Sequence, residues 1–123
     1  MADIERFEKN GKMARVVVYN DMVFLTGLAT DDPGKCSTIT EHATNVFKRI
    51  DHYLEMAGTD NSRILSATIY FADYSDKPEF DSAWENWIPK GCEPARTTMT
   101  CVGYSADWPI EVTIIAAMPK ENC

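Results

Sequence analysis

The chain has 123 residues, of which 45% are hydrophobic and 25% are charged, so it has the length and the balance of one ordinary globular domain. Its formal charge of −7 at pH 7 repels the phosphate backbone of nucleic acids and gives no attraction to anionic membranes. No run approaches the roughly 18 apolar residues of a membrane-spanning helix, and the N-terminal segment lacks the apolar core of a signal peptide. The cysteines at 36, 92, 101 and 123 are widely spaced, which predicts reduced thiols in a cytoplasmic protein.

The N-terminal third predicts strands. Residues 2–7 (ADIERF) could form a short first strand. The runs ARVVVYN and MVFLTGLAT then predict a hairpin, because the turn dipeptide Asn20-Asp21 separates them.

A helical period begins at Thr38. Thr38 and Glu41 fit a capping box at the start of this helix, and Gly58 fits the position just after its end. Apolar residues recur between them at three- and four-residue steps, namely Ile39, Ala43, Val46, Ile50, Leu54 and Ala57.

The second half alternates strands with one more helix. RILSATIYFAD predicts a strand that is covered on both faces, and SDKPEFDSAWENWIPKG predicts a helix with Pro78 in its first turn and Pro89 after its end. Two β-like runs, ARTTMTCV and IEVTIIAA, follow. The order β-β-β-α-β-α-β-β predicts an α+β fold over residues 1–123, a single domain with one mixed sheet and both helices on one face. Apolar residues on the second sheet face predict a homo-oligomer.

Each of the last two runs contains a charge among small and β-branched residues, Arg96 in the first and Glu111 in the second. Because desolvating an unpaired charge is costly, the two could be an ion pair, exposed edge residues or parts of a site. If the connecting turn centres on residues 105 and 106, Glu111 lies opposite Thr100, roughly 13 Å along the strand from Arg96. This register disfavours a contact within one chain and favours a site.

Common catalytic signatures are absent from the sequence. His42 and His52 lie ten residues apart on one predicted helix, rather than at the four-residue spacing of a metal-binding pair, and we expect both at a surface or an interface. There is no phosphate-binding loop, dinucleotide fingerprint or serine nucleophile elbow.

PARTTM at 94–99, with IEVTIIAA placing Glu111 fifteen residues after Arg96, resembles the C-terminal signature of the RidA (YjgF-like) family of reactive-intermediate imine deaminases. FLTGLA at 24–29 and RILSATIYFADYSD resemble two further segments of that family, and the resemblance extends from about residue 4 to 118. It implies a chorismate-mutase-like fold and a homotrimer with clefts between its subunits.

The resemblance also implies roles for individual residues. Arg96 would bind the substrate carboxylate through two parallel hydrogen bonds, and Glu111 would act as the acid and base that positions water. Met13 stands where well-known members have a tyrosine, which predicts a less polar cleft that could prefer bulkier imines. Asp81 stands where several members have asparagine. The substrate-binding set is Gly27, Thr98, Met13 and Asp81.

The implied reaction is hydrolysis of 2-aminoacrylate or 2-iminopropionate to a 2-oxo acid and ammonia, with no metal or organic cofactor. The implied partners are a small imino or keto acid and further copies of the chain.

Two alternatives stay open. A non-catalytic trimer that binds small carboxylates in a regulatory role would need Arg96 but not Glu111. An endoribonuclease is disfavoured by the charge of −7 and the missing histidine pair, unless one face gathers Lys12, Arg15, Lys48 and Arg49.

Overall fold

The computed structural model describes residues 3–100 and 107–120, and within them the strands and helices follow the predicted order. Cys101 and Cys123 lie outside the described residues. No helix in the described part of the chain is long and apolar enough to cross a membrane. The elements are β1 (Glu5–Lys9), β2 (Ala14–Tyr19), β3 (Met22–Leu25), α1 (Ile39–Ala57), β4 (Ile64–Phe71), α2 (Lys77–Trp87), β5 (Ala95–Thr100) and β6 (Ile110–Ala117), with 3-10 turns at Pro33–Lys35, Asn61–Arg63 and Tyr74–Asp76.

The predicted hairpin is confirmed, with β2 antiparallel to β3. Asn20 turns the chain at a φ of 55°, a left-handed conformation that asparagine tolerates better than most residues. Val16 pairs with Leu25 and Val18 pairs with Val23, and all four side chains are buried on one face. Burying these alternating apolar residues sets the register, since a slip by one residue would expose them.

Helix α1 is also as predicted, because both of its ends are determined by local hydrogen bonds. The Thr38 hydroxyl accepts from the Glu41 amide at 3.1 Å, and Glu41 Oε1 accepts from the Thr38 amide at 3.1 Å. Gly58 ends the helix at a φ of 97°, a conformation that glycine adopts without steric cost.

Both helices pack on the same face of the sheet. The Phe80 ring of α2 lies 5.3 Å from the Phe71 ring of β4 and 5.7 Å from the Phe47 ring of α1. Trp87 stacks on Phe47 with ring centroids 4.4 Å apart. These aromatic contacts join the helices to the sheet in one apolar layer, so the predicted α+β architecture is confirmed.

The last two strands are not neighbours in the sheet, although the sequence analysis assumed that they pair with each other. The order is β1-β2-β3-β6-β4-β5, in which β5 is parallel to β4 and lies at the edge, and β6 is antiparallel between β3 and β4. Glu111 therefore lies opposite Tyr70, and the expected place opposite Thr100 is wrong. The reason is burial: alternate residues of β6 are fully buried, which suits a central strand, whereas the polar β5 suits an edge.

The sheet face that carries no helix, called here the open face, presents large apolar side chains. They alternate with buried residues along β2 and β3 and with half-buried ones along β5, and their exposed fractions lie between 38% and 42%. A patch of this kind on one chain marks a surface that another chain can cover. Its members are Tyr19, Met22, Phe24 and Met99.

Candidate active site

Arg96 forms an ion pair, with Asp81 and not with Glu111. From β5 its side chain reaches toward α2, where Nη2 lies 2.8 Å from Asp81 Oδ1 and the guanidinium carbon lies 5.3 Å from the Trp84 ring centroid. Lys77 Nζ lies 2.7 Å from the other Asp81 oxygen. One carboxylate is therefore shared by two cations, and the cluster keeps a net positive charge. Arg96 has no further hydrogen bond within the described residues, so the rest of its donors are available to a ligand.

The two cations also act on the protonation of Asp81. Burial by itself would raise the pKa of this carboxyl, but the hydrogen bonds from Lys77 and Arg96, with their positive charges, outweigh burial and hold its pKa below the usual value. Asp81 is therefore an ionised group that orients Arg96 at neutral pH.

We expect the two ion pairs of Asp81, with Lys77 and with Arg96, to stabilise the protein by about 1 kcal/mol, because all three side chains are largely but not fully buried. A carboxyl whose pKa is lowered on folding contributes stability above its unfolded pKa of about 3.9, and this is lost as the pH falls through the folded pKa. The difference in unfolding free energy between wild type and Asp81→Asn should thus be constant near neutrality and shrink below about pH 4. Urea titrations from pH 3 to 7 measure it, with Glu55→Gln on the exposed side of α1 as the charge-matched control. A difference that does not change with pH would contradict the assignment.

Thr98 lies two residues after Arg96 on the same face of β5. Its hydroxyl and that of Tyr74 are 2.9 Å apart. Neither Tyr74 nor Trp84 was expected at this cluster from the sequence. Tyr74 follows β4, and because β4 and β5 are parallel, their carboxyl ends meet at one edge. Trp84 follows Asp81 by three residues on α2, the spacing of neighbours on a helix surface.

Glu111 lies on the opposite side of the sheet. It alternates with the buried Ile110 and Val112, so its side chain is on the open face and is half-buried there. Gly27 lies directly against it: a Cβ on Gly27 would be 2.9 Å from Glu111 Cδ and closer still to Oε2. Only a residue without a side chain leaves room for the carboxylate. The bridge between Leu28 and Val112, with N–O distances of 2.8 and 3.0 Å, holds this segment on β6.

Neither the Glu111 carboxylate nor the Gly27 N–H has a hydrogen-bond partner among the described residues. A half-buried carboxylate is desolvated at a cost, and proteins normally compensate it with an ion pair or a donor. An acceptor and a peptide N–H without partners in the same place make this position a candidate ligand site.

Met13 belongs to the same side as Glu111. The hydroxyl of Thr26, the residue before Gly27, donates to Met13 Sδ at 3.5 Å. The methionine is half-buried and contributes an apolar wall where a tyrosine would contribute a hydroxyl.

The predicted site residues thus form two separate clusters. The Arg96 half-site contains Arg96, Asp81 and Thr98, and the Glu111 half-site contains Glu111, Gly27 and Met13. In register, Arg96 lies opposite Ala67 and Glu111 opposite Tyr70, on strands that flank β4. Their Cα atoms are therefore on the order of 14 Å apart, and the side chains occupy opposite faces. Arg96 and Glu111 of one chain are therefore not in contact, as expected. The reason is their position on opposite faces of the sheet, and not the register that was assumed.

The histidines do not join either half-site. His42 is 5% exposed, so its expected surface position is wrong; α1 turns this residue inward. The pKa of its imidazole lies below the usual value, because burial lowers it by more than the nearby charges of Glu41 and Asp76 raise it. His52 is exposed, as expected. In residues 3–100 and 107–120 no group of three or more His, Cys, Asp or Glu side chains could hold a metal ion.

The mixed six-stranded sheet with two helices on one face places the protein in the α+β class. A family model described as endoribonuclease L-PSP matches residues 4–118, and the chain therefore belongs to this family, which is the YjgF or RidA family.

Individual relatives are similar to this protein over nearly the whole chain. A RutC family protein of Haemophilus ducreyi is 30% identical over 115 residues, which cover 94% of this chain and 97% of the relative. The RutC family protein YoaB of Escherichia coli is 30% identical over 115 residues, with coverage of 94% and 98%. The crystal structure of NMB1025, a member of the YjgF protein family from Neisseria meningitidis, superposes with a TM-score of 0.90 at 28% identity and covers 97% of this chain and 98% of that one.

Proposed function

We propose that the protein is a cofactor-free hydrolase that converts 2-aminoacrylate, 2-iminopropionate and related enamines or imines to 2-oxo acids and ammonia, in the cytoplasm. The observation that carries the proposal is the half-buried Glu111 carboxylate, which lies against Gly27 and has no partner among the described residues. Family membership supports the same reading.

The Arg96 half-site supplies recognition of the substrate carboxylate. A planar guanidinium binds a carboxylate through two parallel charge-assisted hydrogen bonds, and Asp81 and Trp84 hold this one in place from the side of α2. Because Asp81 is shared with Lys77, its charge does not fully neutralise Arg96. Holding the substrate by its carboxylate leaves the imine carbon free for attack.

The Glu111 half-site supplies the proton transfers. Protonation of C3 converts 2-aminoacrylate to the iminium form of 2-iminopropionate. Water then adds to C2 while Glu111 accepts a proton from it, which gives a carbinolamine. Glu111 returns that proton to the amino group, and the C–N bond breaks as the hydroxyl releases its proton to solvent. This proton replaces the one that C3 took up from solvent, and ammonia and pyruvate leave. The substrate is already reactive in water, so positioning and proton transfer are sufficient catalysis.

Because the half-sites lie on opposite faces of one sheet, we place the complete site between two protomers. The Arg96 half-site is at the edge strand β5, and the Glu111 half-site is on the open face beside exposed apolar residues. Packing the β5 edge of one protomer on the open face of the next is a head-to-tail contact, which forms a closed ring of three when each protomer is rotated by about 120° from the last. A homotrimer with three such clefts accounts for both the separated half-sites and the apolar face.

The alternatives meet specific difficulties. A module that only binds carboxylates would explain Arg96 but not the unpartnered Glu111. An endoribonuclease, the activity in the family's description, needs a basic surface, and Arg15 lies on the open face whereas Lys48 and Arg49 lie on α1 on the other side. The buried His42 also cannot reach RNA as an acid or base.

The test is clearance of 2-aminoacrylate that a pyridoxal-phosphate lyase generates in situ. We expect the wild-type protein to accelerate the appearance of pyruvate above the rate of spontaneous hydrolysis. No acceleration with small or bulky imines would refute the deaminase and favour the carboxylate-binding trimer, which equilibrium binding of pyruvate would then detect.

We expect Gly27→Ala to reduce kcat/KM about 100-fold, because displacing a catalytic group by about 1 Å has effects of that size. The new methyl group would clash with the Glu111 carboxylate, which is the mobile end of its side chain and can move aside. The fold should therefore remain, with a similar thermal midpoint. The matched control is Gly34→Ala, at a glycine whose added Cβ meets only Asp32 Oδ1, at an ordinary contact distance of 3.6 Å. Equal activity of wild type and Gly27→Ala would show that the position of the carboxylate is unimportant.

A further inference from the structure

Two hydroxyl groups form a pair beside Arg96, near the carboxyl ends of β4 and β5. The hydroxyls of Tyr74 and Thr98 are 2.9 Å apart, and either of them can be the donor. Neither has another hydrogen-bond partner in the described parts of the chain. Two hydroxyls carry two protons and only one lies between them, so the pair has one proton left for a ligand.

Local contacts hold Tyr74 in place without its hydroxyl. It begins the short turn Tyr74–Asp76, in which Asp73 Oδ1 accepts from the Ser75 amide at 2.9 Å and from the Ser75 hydroxyl at 2.8 Å. The Tyr74 ring packs edge-on against Phe71, with centroids 5.8 Å apart and planes at 82°. Backbone and ring are therefore positioned independently, and the hydroxyl of this exposed side chain is free to serve another group.

The hydroxyl pair lies next to the cation that is proposed to bind the substrate carboxylate. Thr98 is two residues after Arg96 on the same face of β5, so their Cα atoms are about 6.6 Å apart. Two hydrogen bonds of about 2.8 Å with a carboxylate between them span a distance of the same order. The free donors of Arg96 and the Thr98 hydroxyl can therefore bind one carboxylate together.

We propose that Tyr74 is a positioning residue for substrate binding. A carboxylate only accepts hydrogen bonds, so the Thr98 hydroxyl beside it has to donate. Tyr74 donates to Thr98 Oγ1, which directs the Thr98 proton at the carboxylate and polarises both bonds in the same sense. The carboxylate thus receives one charge-assisted hydrogen bond in addition to those from Arg96. The inference rests on the carboxylate recognition of the proposed function.

The test measures the dissociation constant of pyruvate, the proposed product, by NMR titration of Tyr74→Phe. The variant keeps the ring on Phe71 and loses only the hydroxyl. We expect the dissociation constant to rise about threefold to tenfold, the usual contribution of one hydrogen bond. KM for 2-aminoacrylate should rise by the same factor with kcat unchanged, because a bond made equally to the substrate and the transition state affects KM alone.

Variants of Thr98 test whether Tyr74 acts through it. Thr98→Val keeps the branched shape without the hydroxyl and should weaken pyruvate binding about tenfold or more. Adding Tyr74→Phe to Thr98→Val should weaken binding no further, since the bond that Tyr74 orients is already lost. Thr98→Ser restores a hydroxyl and should recover most of the binding. A further loss in the double variant would overturn the inference.

The matched control is Tyr53→Phe. The Tyr53 hydroxyl on α1 also has one partner, Glu8 Oε1 on β1 at 3.1 Å, at the other edge of the sheet. If the Tyr74 hydroxyl only stabilised the fold, Tyr74→Phe would behave like this control, with a lower thermal midpoint and unchanged pyruvate binding. That result would overturn the inference.

The outcomes separate the inference from the proposed function. Hydrolysis of 2-aminoacrylate by the wild type, with pyruvate binding that Tyr74→Phe leaves unchanged, overturns only the inference. Pyruvate binding that Tyr74→Phe weakens, in a protein that accelerates no imine, refutes the hydrolase and supports the role of Tyr74 at a carboxylate site. Absence of pyruvate binding by the wild type overturns the inference.

Discussion

Glu111→Gln is expected to lower kcat/KM for 2-aminoacrylate by about 10²–10⁴-fold, the usual contribution of a positioned general acid or base. Glutamine has nearly the same size, so it fits against Gly27 as the glutamate does, but it cannot accept a proton from the attacking water. Pyruvate formation from lyase-generated 2-aminoacrylate measures the effect.

The control for Glu111→Gln is the stability and the assembly of the variant protein. The Glu111 carboxylate has no ion pair or hydrogen bond within the described residues, so the variant should unfold at or slightly above the wild-type temperature and assemble normally. Loss of activity together with loss of stability would instead give Glu111 a structural role. Unchanged activity would show that Glu111 is not the acid and base of this reaction.

Arg96→Ala is expected to lower kcat/KM by about 10²–10⁴-fold. Two hydrogen bonds to a charged carboxylate contribute roughly 1.5–3 kcal/mol each, and about 1.4 kcal/mol corresponds to a factor of ten. Arg96→Lys should recover only part of the loss, because lysine keeps the charge without the planar pair of donors. Lys48→Ala, on the exposed side of α1, removes one positive charge away from the open face and should have wild-type activity.

The two inactive variants together test whether the site lies between protomers. Co-expression of Arg96→Ala with Glu111→Gln under two affinity tags gives mixed assemblies. In a ring with random association, about one quarter of the clefts combine an intact Arg96 with an intact Glu111 from its neighbour, so about one quarter of wild-type activity should return. A site within one chain would stay inactive in every mixture.

The elements of the fold could be predicted where their determinants are local. The turn at Asn20, the capping box of Thr38 and Glu41, and the stop at Gly58 each involve residues at most a few positions apart, so the sequence contains the complete interaction. The signature around Arg96 and Glu111 likewise identified the family and the residues to examine, because it is a pattern of residue types at a particular spacing.

The tertiary structure decided what depends on contacts between distant segments. Insertion of β6 between β3 and β4 separated Glu111 from β5 and placed it against Gly27, 84 positions earlier in the chain. Asp81 became the partner of Arg96 because α2 crosses over to a parallel strand, and His42 became buried because α1 packs on the sheet. By itself, then, the sequence determined the elements, the family and the two charged residues of the candidate site. Their division between opposite faces of the sheet follows from strand order, which is set by burying the most apolar strands at the centre and is not encoded in any local stretch.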